Sequence, residues 1–265
     1  MPRARRHFIP GYIWHITHRC HKKEFLLKFA KDRRCWMHWL FEAKKRYGLC
    51  VLNFMITSNH IHLIVVGDDS KDVISKSMQL VASRTAQEYN WRKKRKGAYW
   101  EDRYHATAIA RDDHLLRCIV YLDLNMVRAG VVSHPSEWKY SGYHEIQNPR
   151  QRYALINHKR LMRLLNIQTV AGLRKAHGGW IQAALRKDNR VRESKWTQSV
   201  AVGNREFVEK VKEKLGFHVK GRSISRKGDN YQLREQQSAY NAHLTLKNVP
   251  LSNENTYFWS TSDAI

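Results

Sequence analysis

The sequence predicts an α+β sandwich: a central antiparallel sheet with helices packed on one face, followed by a mainly helical C-terminal extension. Three observations predict it. Segments of strand length, rich in β-branched and aromatic residues, recur at Tyr12–Thr17, Cys50–Ile56, Ile61–Val66 and Tyr104–Ala110. Segments with apolar residues at helical spacing run over Phe29–Tyr47, Asp72–Trp91 and from Asp113 to Ala129. The two middle strands are separated only by Thr57-Ser58-Asn59, whose side chains favour turns, so they pair as a hairpin. The order is β-α-β-β-α-β-α.

The elements follow one by one. Tyr12-Ile13-Trp14-His15-Ile16-Thr17 is the first strand. The first helix sets Phe29, Trp36, Leu40, Ala43 and Tyr47 at helical spacing, with Gly48 at the stop position. In the hairpin, strand side chains alternate, so His60 and His62 share a face and Ile61 takes the other. The second helix places Val73, Met78, Val81, Thr85 and Tyr89 on one side and ends in the basic run Arg92-Lys93-Lys94-Arg95-Lys96-Gly97. After the fourth strand, Asp112 or Asp113 caps a third helix that passes Leu116, Ile119 and Leu122 and closes at Gly130. This order gives a ferredoxin-like sandwich over residues 1–148, onto which the aromatic Ser136–Tyr143 stretch wraps back. Residues 149–265 read as a basic, mostly helical accessory region. Helices are expected over Lys159–Lys187 and Glu206–Gly216, separated by the polar stretch Asp188–Gly203. From Gly221 the chain is basic and turn-rich, and from Asn248 it has no strong period.

Charge narrows the partners. Lys and Arg number 48 against 23 Asp and Glu, a formal net charge of +25. Such an excess points first to nucleic acid and second to an anionic membrane surface. No apolar run approaches the ~20 residues needed to span a bilayer. The basic start, Met1-Pro2-Arg3-Ala4-Arg5-Arg6, leads into a strand rather than the apolar core of a signal peptide. Cys20, Cys35, Cys50 and Cys118 include no C-x-x-C pair and read as reduced thiols of a cytoplasmic, nucleoid-associated protein.

An isolated H-x-H is most often a pair of surface imidazoles. Here the third helix changes its meaning, because it carries Tyr121 and Asn125 four residues apart and so one above the other. Two imidazoles and an amide oxygen suit Mg²⁺ or Mn²⁺ with positions left open for a phosphate oxygen. The metal would polarise the phosphate and the tyrosine hydroxyl attack it, giving a 5′-phosphotyrosine link and a free 3′-OH. Phenol, with a pKa near 10, needs help from the metal or a base. A second metal site from His15, His18, Cys20 and His21 is disfavoured, since a strand sends His15 and His18 to opposite faces.

These motifs, in this order, resemble the REP-associated tyrosine transposases, within the single-tyrosine branch of the HUH endonuclease superfamily (transposase IS200-like). The residues carrying the resemblance are Ser58-Asn59-His60-Ile61-His62-Leu63, Tyr121-Leu122-Asp123-Leu124-Asn125-Met126-Val127-Arg128-Ala129-Gly130, Trp100-Glu101-Asp102-Arg103-Tyr104 and His15-Ile16-Thr17-His18-Arg19. It covers roughly residues 8 to 145. The resemblance implies metal-dependent cleavage and joining of single-stranded DNA beside palindromic hairpins. It makes Tyr121 the nucleophile, His60 and His62 metal ligands, and Asn125 the third ligand. Met126 stands where the family usually has proline, which would kink the helix.

DNA contacts are expected from Arg19, Arg103, Arg128 and the run Arg92, Lys93, Lys94, Arg95 and Lys96. Trp100, Arg103 and Tyr104 either stack on unpaired bases or pack. The basic residues after 150, from Lys159 and Arg160 through Arg190 and Arg192 to Lys227, are expected to grip a hairpin stem through its phosphates. Two other readings stand beside the transposase: an HUH replication initiator or relaxase, and a non-cleaving hairpin DNA or RNA binder. No G-x-x-x-x-G-K-[ST] loop accompanies the motifs, and both monomer and homodimer remain open.

Overall fold

The computed structural model describes residues 8–67, 72–111, 113–187, 192–228 and 230–235. Its first elements are β1 (Ile13–Arg19), α1 (Ala30–Tyr47), β2 (Cys50–Ile56), β3 (His60–Val66), α2 (Val73–Arg92), β4 (His105–Ile109) and α3 (Asp113–Asp123). This is the β-α-β-β-α-β-α order that the sequence predicts. Helix α1 stops where expected, at Gly48, whose φ of 72° lies in the left-handed region open to glycine. Next come α4 (Asn125–Arg128), α5 (Tyr143–Gln147), α6 (His158–Leu164), α7 (Val170–Arg186) and α8 (Lys195–Gln198). The chain continues through β5 (Ala201–Gly203), α9 (Arg205–Leu215), β6 (Arg222–Lys227) and β7 (Asn230–Glu235).

All seven strands form one sheet in the order β2-β3-β1-β4-β5-β7-β6. It is antiparallel from β2 to β4, as expected, and the β4–β5 pair is parallel. The sheet therefore runs across the expected boundary near residue 148. The segment read as mainly helical does carry α6, α7, α8 and α9, but it also adds three strands. Those strands were hard to read for a physical reason. Strand β6 is Arg-Ser-Ile-Ser-Arg-Lys at the sheet edge, with one apolar side chain, and in β7 only Leu233 is a fully buried apolar residue. Lys227 pairs with Asn230, so the turn between them is tight and uses Gly228 at φ 60°. The N-terminal run Met1–Arg6, Asp112, Arg190 and the tail from Asn248 lie outside the described residues.

Both faces of the sheet are covered, which corrects the expectation of helices on one face. Thr17 of β1 pairs with His62 of β3 and His105 of β4, so His15, Thr17, Arg19, His60, His62, His105 and Thr107 share a face. The opposite face carries Trp14, Ile16 and His18. Helices α1 and α2 lie there: Trp100 stacks on His18 with ring centroids 4.1 Å apart and donates to the Ala82 carbonyl of α2 at 3.0 Å. The histidine face is closed by α3 and α8. Helix α3 buries Leu115, Cys118, Ile119 and Leu122 and packs on β2, and α8 inserts the fully buried Trp196. An apolar stripe of that kind needs a partner surface, and the free sheet face supplies it.

A bulge in β2 between Val51 and Asn53 turns Asn53 inward, where Nδ2 donates to Asp123 Oδ1 at 3.1 Å. Gly142 crosses this point so closely that a Cβ would stand 2.0 Å from Asn53 Oδ1. The Gly142 N–H donates to the Phe54 carbonyl at 2.7 Å, tying the Ser136–Tyr143 stretch back onto the sheet as expected.

Candidate active site

One cleft of about 520 Å³ opens at the histidine end of the sheet. Its lining includes Arg19, His60, His62, Arg103, Tyr121, Asn125 and Arg128, seven of the side chains expected at the site. Glu101, Asp102, His105, Arg192, Thr197 and Gln198 also line it, with Thr17, His18 and Ala129. The hairpin register explains why His60 and His62 both face the cleft, since they are two residues apart on β3 and pair with Arg19 and Thr17 of β1.

Hydrogen bonds define which ring nitrogen of each histidine carries the proton and which keeps its lone pair. Asn59 Nδ2 donates to the Lys23 carbonyl at 3.1 Å, so its Oδ1 faces His60 Nδ1 at 2.7 Å. The Thr57 hydroxyl donates to the His60 carbonyl at 2.8 Å, leaving its lone pair toward the same Nδ1 at 2.9 Å. Both partners accept, so Nδ1 carries the proton and Nε2 keeps its lone pair. His62 gives the same outcome by another route. The Trp196 carbonyl can only accept, so His15 Nδ1 donates to it at 2.8 Å and His15 Nε2 is an acceptor. His62 Nδ1 donates to that nitrogen at 2.9 Å, and the His62 Nε2 lone pair is met by Asn125 Nδ2 at 3.1 Å.

This donor set fits a divalent cation. Two neutral imidazoles present lone pairs, and turning the Asn125 amide end for end brings Oδ1 beside the second of them. Burial is the main reason the imidazoles stay neutral. It takes His15 down to about 3 and His60 to about 4, and carries His62 well below the usual imidazole range. Nearby Arg19 and Arg192 add to the effect at His60. Among the described residues no group of three or more His, Cys, Asp or Glu side chains gathers as a metal cluster, so the candidate set rests on the amide as third donor.

Tyr121 and Asn125 reach the cleft differently from the expected continuous helix. The helix breaks at Leu124, with φ −81° and ψ 6°, without a proline in the segment. Side chains hold the chain on both sides of the break. Arg128 Nη2 donates to the Tyr121 carbonyl at 2.6 Å, and the same guanidinium lies 4.1 Å from the Tyr121 ring centroid. Asp123, fully buried, accepts from Asn53 and from His177 Nε2 of α7 at 2.8 Å. His177 Nδ1 in turn accepts from Gln147 Nε2 at 2.8 Å. The turn between Tyr121 and Asn125 is thus pinned at Asp123 from β2 and from α7. Burial pushes the Tyr121 phenol up, while Arg128 and Arg192 pull it back.

Other expected contacts lie elsewhere. Arg92 to Lys96 are not among the residues lining the cleft. Arg92 is ion-paired with Asp32, Arg95 with Glu24 at 3.5 Å, and the Lys93 ammonium sits 5.3 Å from the Phe29 ring centroid. Trp100 packs, as its stack on His18 describes. In the later basic region, Lys159, Arg160 and Arg163 lie on α6, Arg174, Lys175 and Arg186 on α7, and Arg222 and Arg226 on β6. Sequence reasoning missed His15, His105, Thr197 and Gln198 as parts of this site, and placed Arg192 on a distant accessory surface. His15 had a signal: it is two residues from Thr17 and so shares a face with it. The 192–198 segment had none beyond its tryptophan. None of the described helices is long and apolar enough to cross a membrane.

The profile of the family described as "Transposase IS200 like" matches residues 10–122. No curated protein matches the chain. Among solved structures, a REP-associated tyrosine transposase bound to a REP hairpin is 20% identical, with a TM-score of 0.46, covering 55% of this chain and 84% of that one. A protein from Deinococcus radiodurans assigned as a transposase is 14% identical, with a TM-score of 0.32, covering 45% of this chain and 92% of that one.

Proposed function

With residues 10–122 similar to the IS200-like transposases, we propose that this chain is a single-stranded DNA endonuclease and strand transferase. It acts beside palindromic hairpins, through Tyr121 and with Mg²⁺ or Mn²⁺. One observation carries the reading: a single cleft brings together a buried phenol, two imidazoles whose Nε2 atoms carry lone pairs, an amide and four arginines.

His60, His62 and Asn125 would hold the cation. When bound, such a cation supplies Lewis-acid polarisation of the scissile phosphate. Arg19, Arg103, Arg128 and Arg192 line the cleft and bind the anionic backbone, in a site that also holds Glu101 and Asp102. Tyr121 Oη attacks phosphorus, the P–O3′ bond breaks, the phenol loses its proton and the leaving 3′ oxygen gains one. Arg128, against the Tyr121 ring, favours the developing phenolate and opposes the effect of burial. The 5′-phosphotyrosine keeps the phosphodiester energy for rejoining to a 3′-OH.

The test uses a single-stranded hairpin oligonucleotide labelled at its 3′ end. With Mn²⁺ the full chain is expected to cut beside the hairpin and leave the labelled 5′-phosphate fragment attached to protein. Chelator should stop cutting. Unchanged cutting in chelator would overturn the metal assignment, and cutting without protein attachment would overturn the covalent one.

A further inference from the structure

The geometry points to His15 as a positioning residue for the proposed cation site, one that transmits the polarity of the Trp196 carbonyl to His62 and so keeps the His62 Nε2 lone pair facing Asn125 and the cleft. The inference rests on the reading of His62 as a ligand and adds a requirement that the ligand reading does not contain.

The relay has one polarity. It begins at a carbonyl oxygen, which only accepts, 2.8 Å from His15 Nδ1. His15 must donate there, so its other nitrogen is a lone pair, and His62 must donate to that lone pair 2.9 Å away. The two rings are only 10° from parallel, with centroids 5.1 Å apart. The centroid separation exceeds the N···N distance by about two ring radii, so the rings meet edge to edge and the hydrogen bond runs along the line joining them. His15 is fully buried and His62 is 2% exposed, so neither ring can exchange its partner for solvent without opening the core. Turning His15 over in its tautomer would set a lone pair against the Trp196 oxygen and two N–H groups against each other at His62.

The two candidate ligands are held in unlike ways. His60 takes its orientation from Thr57 and Asn59, inside its own hairpin. His62 takes its orientation from a residue 47 positions away, which takes its own from one 181 positions away. The family profile ends at residue 122, before Trp196, so the orientation of one ligand depends on a segment beyond the recognised region. Trp196 itself is fully buried, fixing where its carbonyl points. Partners of this kind set the tautomer, ring angle and basicity of a metal-binding imidazole.

The test compares the full chain with His15→Leu, which fills the space without an acceptor, and His15→Gln, which restores an acceptor oxygen. Mn²⁺ affinity is measured by calorimetry, and the His60 and His62 tautomers by long-range ¹H–¹⁵N NMR without metal. The parent is expected to show both histidines protonated at Nδ1. His15→Leu should bind Mn²⁺ about 10–100-fold more weakly, with His62 losing its single tautomer and His60 unchanged. His15→Gln should recover a large part of the affinity and the His62 signal. Three results would overturn the inference: parent-like affinity and tautomer in His15→Leu, equal disturbance of His60 and His62 in both variants, or no recovery in a folded His15→Gln. If the parent binds no Mn²⁺, the ligand reading fails, and the tautomer comparison alone decides the relay.

Discussion

Lowering the pH from 7 to 5 should destabilise the fold by about 4 kcal/mol through His15 and His60 alone. The sign follows from burial. In the folded chain His15 is held to about 3 and His60 to about 4, below the ordinary imidazole value. The unfolded chain binds protons at these positions as the pH falls through ~6.5, and the folded chain does not until far lower. Their contribution is fully present above ~6.5 and is lost as the pH falls toward the folded values. At pH 5 each group is ~1.5 units below its unfolded value, and at about 1.36 kcal/mol per unit each costs about 2 kcal/mol. His62, shifted in the same direction, adds to the loss. Asp32 and Glu145, whose carboxyls burial pushes up, act with the opposite sign, so the single variant is the sharper comparison. Urea unfolding in chelator at pH 7 and pH 5 measures the difference, for the parent and for His60→Asn. The variant should show about 2 kcal/mol less pH dependence. Equal pH dependence in parent and variant would refute the burial argument for His60.

Other substitutions separate the parts of the site. Tyr121→Phe removes only Oη and should abolish cleavage while hairpin affinity, measured by anisotropy, stays nearly unchanged. Arg128→Leu should lower cleavage about 10²–10³-fold, as loss of an anion-stabilising donor does. Because that variant removes the cation that pulls the Tyr121 phenol down, the pH–rate profile should also move to higher pH. His177→Leu removes one of the two hydrogen bonds to the buried Asp123 carboxylate, leaving only its Asn53 partner, and should cost about 1.5–3 kcal/mol in urea unfolding. Truncation after Asn148 removes Trp196 and the three strands β5, β6 and β7, so circular dichroism should show loss of cooperative unfolding rather than a trimmed, active core.

What the sequence disclosed follows from where the signals are local. The hairpin around Thr57–Asn59, the stop at Gly48 and the face shared by His60 and His62 each depend on neighbours within a few residues, and all three are present. The break at Leu124 was hidden in part because two of the groups that hold the turn, Asn53 and His177 on Asp123, are distant in sequence; the third, Arg128 on the Tyr121 carbonyl, is local. The basic run Arg92–Lys96 looked like a phosphate surface, yet Arg92 and Arg95 meet Asp32 and Glu24, partners that only tertiary packing brings near. His15 was weighed as a member of a second metal site. Its parity with Thr17 put the two on one face of β1, but the antiparallel register that makes this the face of His62 is a long-range fact. Strands β5 to β7 were invisible because β5 is only three residues long and β6 and β7 carry too few apolar side chains to leave an alternating pattern.

The most direct measurement of the central claim is the identity of the residue that becomes joined to DNA. The full chain is incubated with Mn²⁺ and a single-stranded hairpin oligonucleotide, digested with protease and nuclease, and the modified peptide is sequenced by mass spectrometry. The account predicts a nucleotide phosphate on the Tyr121 hydroxyl, absent in Tyr121→Phe and absent in chelator. A phosphate on any other side chain, or cleavage that leaves every peptide unmodified, would contradict it.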